Sequence, residues 1–356
     1  MRLLMVARRF PPDVRSGSET AFEALWQRAR ARHEVRLLAG FHRDRSLLPP
    51  DAEAVDLRQV HRVQGWLRMR HAARATIRSF VPDAVLSNAI EVPASSRPTA
   101  CIVHDLEFGG ERGAAGRRLF YRWRTRRLDR VITVSEAMRR HLVARGLPAG
   151  RTVAIPNGVD LDRFRPAPRI ARADSRLVIC CASRILPGKG QHVAVEALSR
   201  LPADLCDRVV LQVVGSVADP AYLDRIRRQA RGFPVEFHLD VPDLACWYQQ
   251  ADIAVFPTLL VEGFGFSAVE ALACGRPVIH SDQAAVREAT GGLGIPVPPG
   301  DADALGAAIA SLALAPERCE SIGRAGRAYL ERRRSWDLTW SAYESLLEQM
   351  IVEAGP

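Results

Sequence analysis

The chain has 356 residues, of which 47% are hydrophobic and 25% are charged, which indicates a soluble globular protein of two domains. No stretch is apolar for long enough to cross a membrane, and the short apolar N-terminus predicts a buried strand rather than a signal peptide. The net charge of +10 is uneven, since residues 1–150 hold 28 Arg against 15 Asp and Glu, and the remainder holds 22 Lys and Arg against 25 Asp and Glu.

Six apolar runs in the first half of the chain predict buried strands. In chain order they are RLLMVA, EVRLLAG, DAVLSNA, TACIVHD, RVITVS and TVAIPNG. The stretch ETAFEALWQRARARH, between the first two runs, has apolar residues at helical spacing. Residues 163–175 are rich in proline and arginine and predict a linker, so we expect the first domain to cover residues 1–165.

Six further apolar runs follow the linker: LVICCAS, VVLQVVG, VEFHL, IAVFPT, PVIHS and GIPVP. VAVEALSRLP and SAVEALACG predict helices between them, and Gly275 suits the end of the second helix. Buried strands that alternate with helices predict two α/β domains, each with a doubly wound parallel sheet. We expect the second domain at residues 166–335 and an amphipathic helix at residues 336–356.

The stretch SRILPGKGQH contains Lys189, the one lysine of the chain beside 49 arginines. It follows a predicted strand, and open α/β sheets bind ligands at the carboxyl ends of their strands. Arg184 and Lys189 lie five residues apart across a glycine-containing turn, which predicts a phosphate or diphosphate site. These residues do not match the Walker A pattern. Two alternatives remain for Lys189: a Schiff-base lysine for pyridoxal phosphate and an ordinary surface lysine.

A second stretch, LLVEGFGFSAVEALACG, carries Glu262 and Glu270 eight residues apart around a glycine loop. The glycines allow close approach of the backbone, and the amides of residues 264–268 would crown a helix N-terminus and hold a diphosphate. Glu270 could accept both hydroxyls of a ribose, but Ser267 and Glu270 also have the spacing of a capping box. Taken by itself, Glu262 could equally be an ordinary charged residue of a loop.

Together these motifs resemble those of the family 4 glycosyltransferases, whose architecture is the GT-B fold, in which two doubly wound Rossmann-like domains face each other across a cleft. E-x7-E within EGFGFSAVEALACGRPVI and the Arg-x4-Lys pattern of SRILPGKG are similar to that family's donor-site motifs. IPNGVDLDRFRP resembles its interdomain segment, and VITVSEAMRRHL and VHD resemble parts of its first domain. The resemblance also implies that the C-terminal helix crosses back to the first domain.

The resemblance implies a retaining enzyme without metal or other cofactor that moves a sugar from a nucleoside-diphosphate sugar, UDP-linked in preference to GDP-linked, to a hydroxyl of a natural product, polysaccharide or lipid. Arg184 and Lys189 would hold the diphosphate, Glu270 would bind the ribose, and Glu262 would lie beside the sugar. His104 would contact the sugar or the reaction centre, although a strand-end histidine bonded to Asp105 is the alternative. The further donor-binding residues would be Gly17, Gly263, Phe264, Gly265, Phe266 and Ser267.

Several segments depart from the family pattern. The first-domain loop reads SGS at residues 16–18, where relatives have two glycines. FHLDV has Asp240 at the position of a usual glycine near the nucleobase, and QAAVRE, residues 283–288, replaces a Gly-Gly before a glutamate. DAD, residues 301–303, is the one D-x-D spelling and predicts a helix start rather than a metal site.

The basic first half indicates an anionic partner or a solvated arginine-rich surface, and the scarcity of lysine favours the latter. Residues 58–80 surround Trp66, Leu67 and Met69 with cations and could lie on an anionic membrane. GRRLFYRWRTRRLDR lacks a nucleic-acid motif, so no nucleic acid is expected. The seven cysteines form no C-x-x-C pair, which favours reduced thiols in the cytosol. A GT-B nucleotide-sugar epimerase or phosphorylase, and a non-catalytic protein that binds an anionic ligand or nucleic acid, remain alternatives.

Overall fold

The chain forms two compact units in a computed structural model that describes residues 1–13, 16–88, 95–104, 125, 128–168 and 176–355. Residues 1–158 and 336–356 make up the first unit, and residues 159–335 make up the second. The expected boundary after residue 165 is therefore seven residues too late. The reason is that the Arg327 guanidinium donates to the carbonyls of Leu161 (3.0 Å) and Phe164 (2.7 Å), which fastens this stretch to the second unit.

The first unit contains a parallel sheet of seven strands in the order β3-β2-β1-β4-β5-β6-β7. Six of its strands are those predicted, and the seventh, β3, was missed because its residues EAVD form no apolar run. β3 lies at the sheet edge and pairs with β2. The strands are β1 (Arg2–Ala7), β2 (Glu34–Phe41), β3 (Glu53–Asp56), β4 (Ala84–Ser87), β5 (Thr99–Val103), β6 (Arg130–Thr133) and β7 (Thr152–Ala154).

The described helices of the first unit pack on this sheet through apolar faces. In the helix that begins at Arg62, the residues Met69, Ala73 and Phe80 are buried at helical spacing. The C-terminal helix is joined to the first helix by Glu344, which contacts His33 (2.6 Å) and Arg32 (3.2 Å). These helices are α1 (Gly17–Arg32), α2 (Arg62–Phe80), α3 (Glu136–Ala144) and, at the end of the chain, α12 (Trp336–Ala354).

The second unit contains a parallel sheet of six strands in the order β10-β9-β8-β11-β12-β13, and all six were predicted. The strands are β8 (Leu177–Ala182), β9 (Val209–Gly215), β10 (Val235–Leu239), β11 (Ile253–Phe256), β12 (Val278–Ser281) and β13 (Ile295–Val297). The helices around it are α4 (Gln191–Leu198), α5 (Ala203–Cys206), α6 (Pro220–Gln229), α7 (Ala245–Gln250), α8 (Phe266–Ala273), α9 (Ala284–Thr290), α10 (Ala302–Ala313) and α11 (Pro316–Arg333).

The strand order of the second sheet determines where a ligand would bind. From β8 the chain moves outward through β9 and β10, and it then returns to build β11, β12 and β13 on the other side of β8. The loops that follow β8 and β11 therefore leave the sheet in opposite directions from neighbouring strands, which is the usual position of a ligand crevice. The first sheet has the same arrangement at β1 and β4.

Candidate active site

Two loops meet at the carboxyl edge of the second sheet, one after β8 and one after β11. The backbone amides of Leu259 and Leu260 both donate to the carbonyl of Gly188, at 2.8 and 3.1 Å. A Cβ atom on Gly188 would lie 2.5 Å from the Leu260 side chain. Gly190 has φ +73°, and its Cβ would lie 1.9 Å from the Pro257 carbonyl oxygen. Glycine is therefore required at position 190 for the loops to touch, and at position 188 it leaves room for the Leu260 side chain.

Lys189 lies between these glycines and forms an ion pair with Glu262. Its Nζ donates to Glu262 Oε1 at 2.7 Å, and each of the two side chains is 14% exposed. The hydroxyl of Thr258 donates to the same oxygen at 2.7 Å. The two residues assigned separately from the sequence are thus brought together. The Nζ of Lys189 is thus already bound by a carboxylate, which counts against the Schiff-base alternative.

Arg184 follows β8 in the same loop as Lys189 and is exposed. Within the part of the chain that the structure describes, its guanidinium makes no hydrogen bond or ion pair. Its carbonyl oxygen, by contrast, accepts from Nε2 of the buried Gln191 at 2.9 Å, which fixes the loop backbone. The guanidinium is therefore presented to solvent from a fixed backbone, and it can bind two oxygens of a phosphate.

Helix α8 begins at Phe266, after Gly265 at φ +96°. The capping box predicted from Ser267 and Glu270 is wrong, because Gly265 is the N-cap and no side chain caps this helix. The amide of Ala268 donates to the Gly265 carbonyl at 3.1 Å. It is therefore not available to a ligand, and the predicted group of free amides at residues 264–268 is smaller than expected. Without the capping box, a structural reason for Glu270 is lost.

Glu270 is a half-buried carboxylate on the first turns of α8. Burial raises the pKa of Glu270 to about 7; the charge of Arg163 opposes this rise and that of Asp243 adds to it. Its side chain makes no hydrogen bond to any other described residue. A carboxylate that is partly removed from water and has no donor is costly, so this group is suited to accept hydroxyls from a ligand.

The glycine loop between Glu262 and α8 is packed closely. Gly263 and Phe264 are buried, and the rings of Phe264 and Phe266 meet edge to face with centroids 5.0 Å apart. The aromatic side chains thus hold the loop together, and any contact with a donor would come from the backbone. That role stays a prediction for Gly263, Phe264, Gly265, Phe266 and Ser267.

In the first unit, the predicted diphosphate loop carries an acid. Gly17, predicted to lie in a loop, is the first residue of α1, and Glu19 follows in the same turn and is 6% exposed. The hydroxyls of Ser16 and Ser18 donate to the Glu19 carboxylate, the latter at 2.9 Å. This N-terminus therefore already has a negative group of its own.

His104 follows β5 at the carboxyl edge of the first sheet. Burial lowers the pKa of His104 to about 4, so the ring is neutral near pH 7. Its Nε2 is buried and has no hydrogen-bond partner among the described residues. Asp105, the alternative partner, lies outside the described residues, as does most of the arginine-rich stretch GRRLFYRWRTRRLDR, residues 116–130.

Two of the segments that stood out in the sequence have a local structural explanation. Asp301 is the N-cap of α10 and accepts from the amide of Ala304 at 2.8 Å, so the predicted helix start is confirmed. Asp240 has φ +49°, in the left-handed region where glycine is favoured, and its carboxylate accepts from the amide of Val217 at 3.3 Å.

Sequence comparison identifies relatives of both units. The family model described as Glycosyltransferase Family 4 matches residues 15–163, and the one described as Glycosyl transferases group 1 matches residues 176–314. The GDP-mannose-dependent alpha-(1-6)-phosphatidylinositol monomannoside mannosyltransferase of Mycobacterium tuberculosis is 27% identical over 383 aligned positions, which cover 94% of this chain and 95% of the relative. D-inositol 3-phosphate glycosyltransferase 2 of Catenulispora acidiphila is 33% identical over 245, covering 63% of this chain and 57% of that protein.

Solved structures show the same fold. Alr3699/HepE of Anabaena in complex with UDP-glucose aligns with a TM-score of 0.81 at 20% identity, covering 98% of this chain and 100% of that one. Sucrose-phosphate synthase of Thermosynechococcus elongatus aligns with a TM-score of 0.80 at 21% identity, covering 99% and 100%. The fold is therefore GT-B, and the protein is a glycosyltransferase. The chain belongs to glycosyltransferase family 4, as its motifs predicted.

Proposed function

We propose that this glycosyltransferase is a retaining, metal-independent enzyme that transfers a sugar from a nucleoside-diphosphate sugar to an acceptor hydroxyl. The observation that carries the proposal is the junction of the loops after β8 and β11, where Lys189 contacts Glu262 at 2.7 Å. Arg184 lies in the first loop, and Glu270 lies on the helix that follows the second. Two cations and two carboxylates thus surround the switch point of one sheet.

The cations match the charge that develops in the reaction. When the bond between the sugar and the diphosphate breaks, negative charge builds on the leaving phosphate oxygens, and fixed cations lower that barrier. Lys189 supplies a compact ammonium, and Arg184 supplies a planar guanidinium that can donate to two phosphate oxygens at once. We propose that a donor phosphate accepts one hydrogen bond from the Lys189 ammonium while Glu262 keeps accepting another. These two cations would perform the task that a metal ion performs elsewhere.

Glu270 would bind the ribose of the donor. An ionised carboxylate has two oxygens and can accept from both hydroxyls of a vicinal diol. Because the pKa of Glu270 is raised to about 7, ribose binding would favour the ionised form and become stronger as the pH rises through neutrality.

The bonding of Glu262 argues against a covalent intermediate between this residue and the sugar. Its Oε1 already accepts from Lys189 and Thr258, which lowers the nucleophilicity of this carboxylate. We therefore assign no protein nucleophile. The sugar would leave as an oxocarbenium-like ion beside the diphosphate, the acceptor oxygen would attack from that same face, and a phosphate oxygen would take the acceptor proton. The roles of His104 and Gly17 stay predictions from the family resemblance.

An activity assay would test which nucleobase the sugar donor carries. We expected UDP from the sequence; the M. tuberculosis relative is named GDP-mannose-dependent, whereas HepE was solved with UDP-glucose. Purified protein would be incubated with UDP-glucose or GDP-mannose and with inositol phosphate, phosphatidylinositol or an oligosaccharide, with and without EDTA. We expect one donor to be consumed equally with and without EDTA, and a product that has the donor's anomeric configuration by NMR.

Other products would point to the alternatives. An inverted anomer would overturn retention, and loss of turnover in EDTA would overturn metal independence. An altered sugar still attached to its nucleotide would indicate an epimerase. A sugar phosphate formed from added inorganic phosphate would indicate a phosphorylase. Tight binding of nucleoside diphosphate without turnover of any donor would favour the non-catalytic alternative.

We further propose that the enzyme acts in the cytosol, where α2 contacts an anionic membrane surface. The helix has no acidic residue along its 19 residues, and Val63 and Leu67, one turn apart, are 58% and 52% exposed. Met69, expected in this apolar group, is 1% exposed and belongs to the core instead. None of the helices in the described part of the chain is long and apolar enough to cross a membrane.

The substitution Leu67→Ser tests this contact. Flotation with vesicles of phosphatidylglycerol and phosphatidylcholine should fall about threefold, because the apolar side chain no longer enters the interface. Leu314→Ser is the matched control, since Leu314 is a leucine of the second unit that is 74% exposed. Equal flotation with pure phosphatidylcholine vesicles, or an equal loss in both variants, would contradict the proposal.

A further inference from the structure

A third loop, which follows β12, reaches the same site through the side chain of Gln283. This residue opens the QAAVRE segment, where the sequence departs from the family pattern. β12 pairs with β11, so the loops after these two strands emerge side by side at the carboxyl edge of the sheet.

The Gln283 amide makes all its recorded hydrogen bonds to the backbone of the loop after β11. Nε2 donates to the carbonyl of Leu260 at 2.7 Å and to that of Thr258 at 3.3 Å. Oε1 accepts from the backbone amide of Glu262 at 2.8 Å. The orientation of the amide is unambiguous, because the two carbonyls can only accept and the N–H can only donate.

This loop is held from two sides. On one side, the carbonyl of Gly188 accepts from the amides of Leu259 and Leu260, at 2.8 and 3.1 Å. On the other side, the backbone of Glu262 is fixed by Gln283. Its carboxylate is then fixed by Thr258 and Lys189. If Gln283 were truncated, the Gly188 contacts would remain, but the Glu262 end of the loop would lose its backbone anchor.

We infer that Gln283 is a positioning residue of the transfer reaction. It holds the backbone of Glu262 so that the Glu262 carboxylate and the Lys189 ammonium keep one fixed geometry toward the donor. It acts through Glu262 and does not contact the donor. This inference rests on the proposed function, because it requires that Lys189 and Glu262 act on a bound donor.

The test compares Gln283→Ala and Gln283→Glu with wild type, using whichever of UDP-glucose and GDP-mannose is turned over. A misplacement of reacting groups by about 1 Å can cost about 100-fold in rate, so kcat should fall by about 10- to 100-fold in Gln283→Ala. The KM for the donor, and the Kd for UDP or GDP, should stay within about threefold, because Arg184 and Glu270 are untouched. Gln249→Ala is the matched control. It removes a bond from a half-buried glutamine to the Arg165 carbonyl (3.0 Å), before β11 and away from these three loops, and should leave kcat unchanged.

Gln283→Glu keeps the size of the side chain, so it covers the case in which the alanine variant fails to fold. An ionised glutamate can still accept from the Glu262 amide but cannot donate to the Leu260 carbonyl. Its kcat relative to wild type should therefore be low at pH 8 and recover as the pH falls, because the protonated acid regains a donor.

Three outcomes would overturn the inference. One is a lower melting temperature with unchanged kcat, which indicates a structural role only. Another is a raised KM or Kd with unchanged kcat, which indicates direct donor contact. The third is a Gln283→Glu variant whose relative kcat is low at every pH. Lys189→Ala, measured in parallel, separates the two claims. If it retains turnover, the proposed function fails. If it is inactive while the Gln283 variants are normal, this inference alone fails.

Discussion

The two units have parallel sheets with the same switch point, but the helices that follow their first strands differ in charge at their N-termini. In the second unit, the loop after β8 presents Arg184 and Lys189. In the first unit, the loop after β1 leads into α1, where Ser16 and Ser18 donate to Glu19. The first turn of α1 thus carries a buried carboxylate, whereas the first turn of α4, which follows the loop with Arg184 and Lys189, carries no acidic residue.

This difference teaches that topology determines where a ligand can bind and that a few side chains determine which ligand. A helix N-terminus attracts an anion in either unit. In the first unit the protein's own glutamate supplies it, and in the second unit the Arg184 guanidinium remains for an external one. We therefore assign the diphosphate chemistry to the second unit, and each prediction below tests this contrast.

The largest effect is expected from Lys189→Ala, which should lower turnover about 1,000-fold. Removal of one group that stabilises transition-state charge costs about 100- to 1,000-fold, and here the partner carboxylate of Glu262 is also left unpaired. Lys189→Arg should still lose at least about tenfold, because the guanidinium is not a compact ammonium. Steady-state kinetics with a melting curve would measure both.

Arg324→Ala is the control for a lost positive charge. Its guanidinium pairs with Glu320 on the exposed surface of the second unit, at 3.2 Å. We expect the Arg324→Ala variant to have the same turnover as wild type. If Lys189→Ala kept more than a third of wild-type activity, the difference between the two units would not matter for catalysis.

The parallel strands could be predicted because a buried strand is a continuous apolar run. All six strands of the second unit were found in this way, whereas β3, with two acidic residues among four at a sheet edge, has no such signal. Met69 was assigned to the surface because α2 is rich in arginine, so its sequence gives little sign of the one face that packs against the core. The boundary at residue 158 was missed because it depends on Arg327, far along the chain.

The sequence predicts the residues of the candidate site but not the contacts between them. Arg184, Lys189, Glu262 and Glu270 were identified from spacing and family resemblance. The pairing of Lys189 with Glu262, 73 residues apart, requires β8 and β11 to be neighbours, which strand order decides. Gln283 gave no signal beyond a polar residue before two alanines, because its role arises only where three loops converge.

An effect of intermediate size is expected from pH, through Glu270. With a pKa of about 7, Glu270 is about one-tenth ionised at pH 6 and about nine-tenths ionised at pH 8. If the ionised form binds the ribose, the Kd for UDP or GDP should be about tenfold weaker at pH 6. Isothermal titration at the two pH values measures this ratio.

Two variants assign the pH effect to one unit. In Glu270→Gln the ratio should fall to the part that comes from the phosphate of the ligand itself. In His104→Asn the ratio should match wild type, because the pKa of His104 is about 4 and its ring does not titrate in this range. A ratio that stays tenfold in Glu270→Gln would show that another group titrates on binding.

The smallest effect on binding is expected from Glu19→Gln, which probes the first-unit loop. The variant keeps a side-chain oxygen for Ser16 and Ser18 but removes the charge at the start of α1. The favourable interaction with the helix N-terminus is worth up to about 1 kcal/mol, so the free energy of unfolding should fall by that amount, as a lower urea midpoint with an unchanged slope. The Kd for UDP or GDP should change by less than about twofold, because the diphosphate is assigned to the other unit. If affinity instead rose about tenfold, Glu19 would be repelling the diphosphate, and the loop of Gly17 would face the donor as the family resemblance implied.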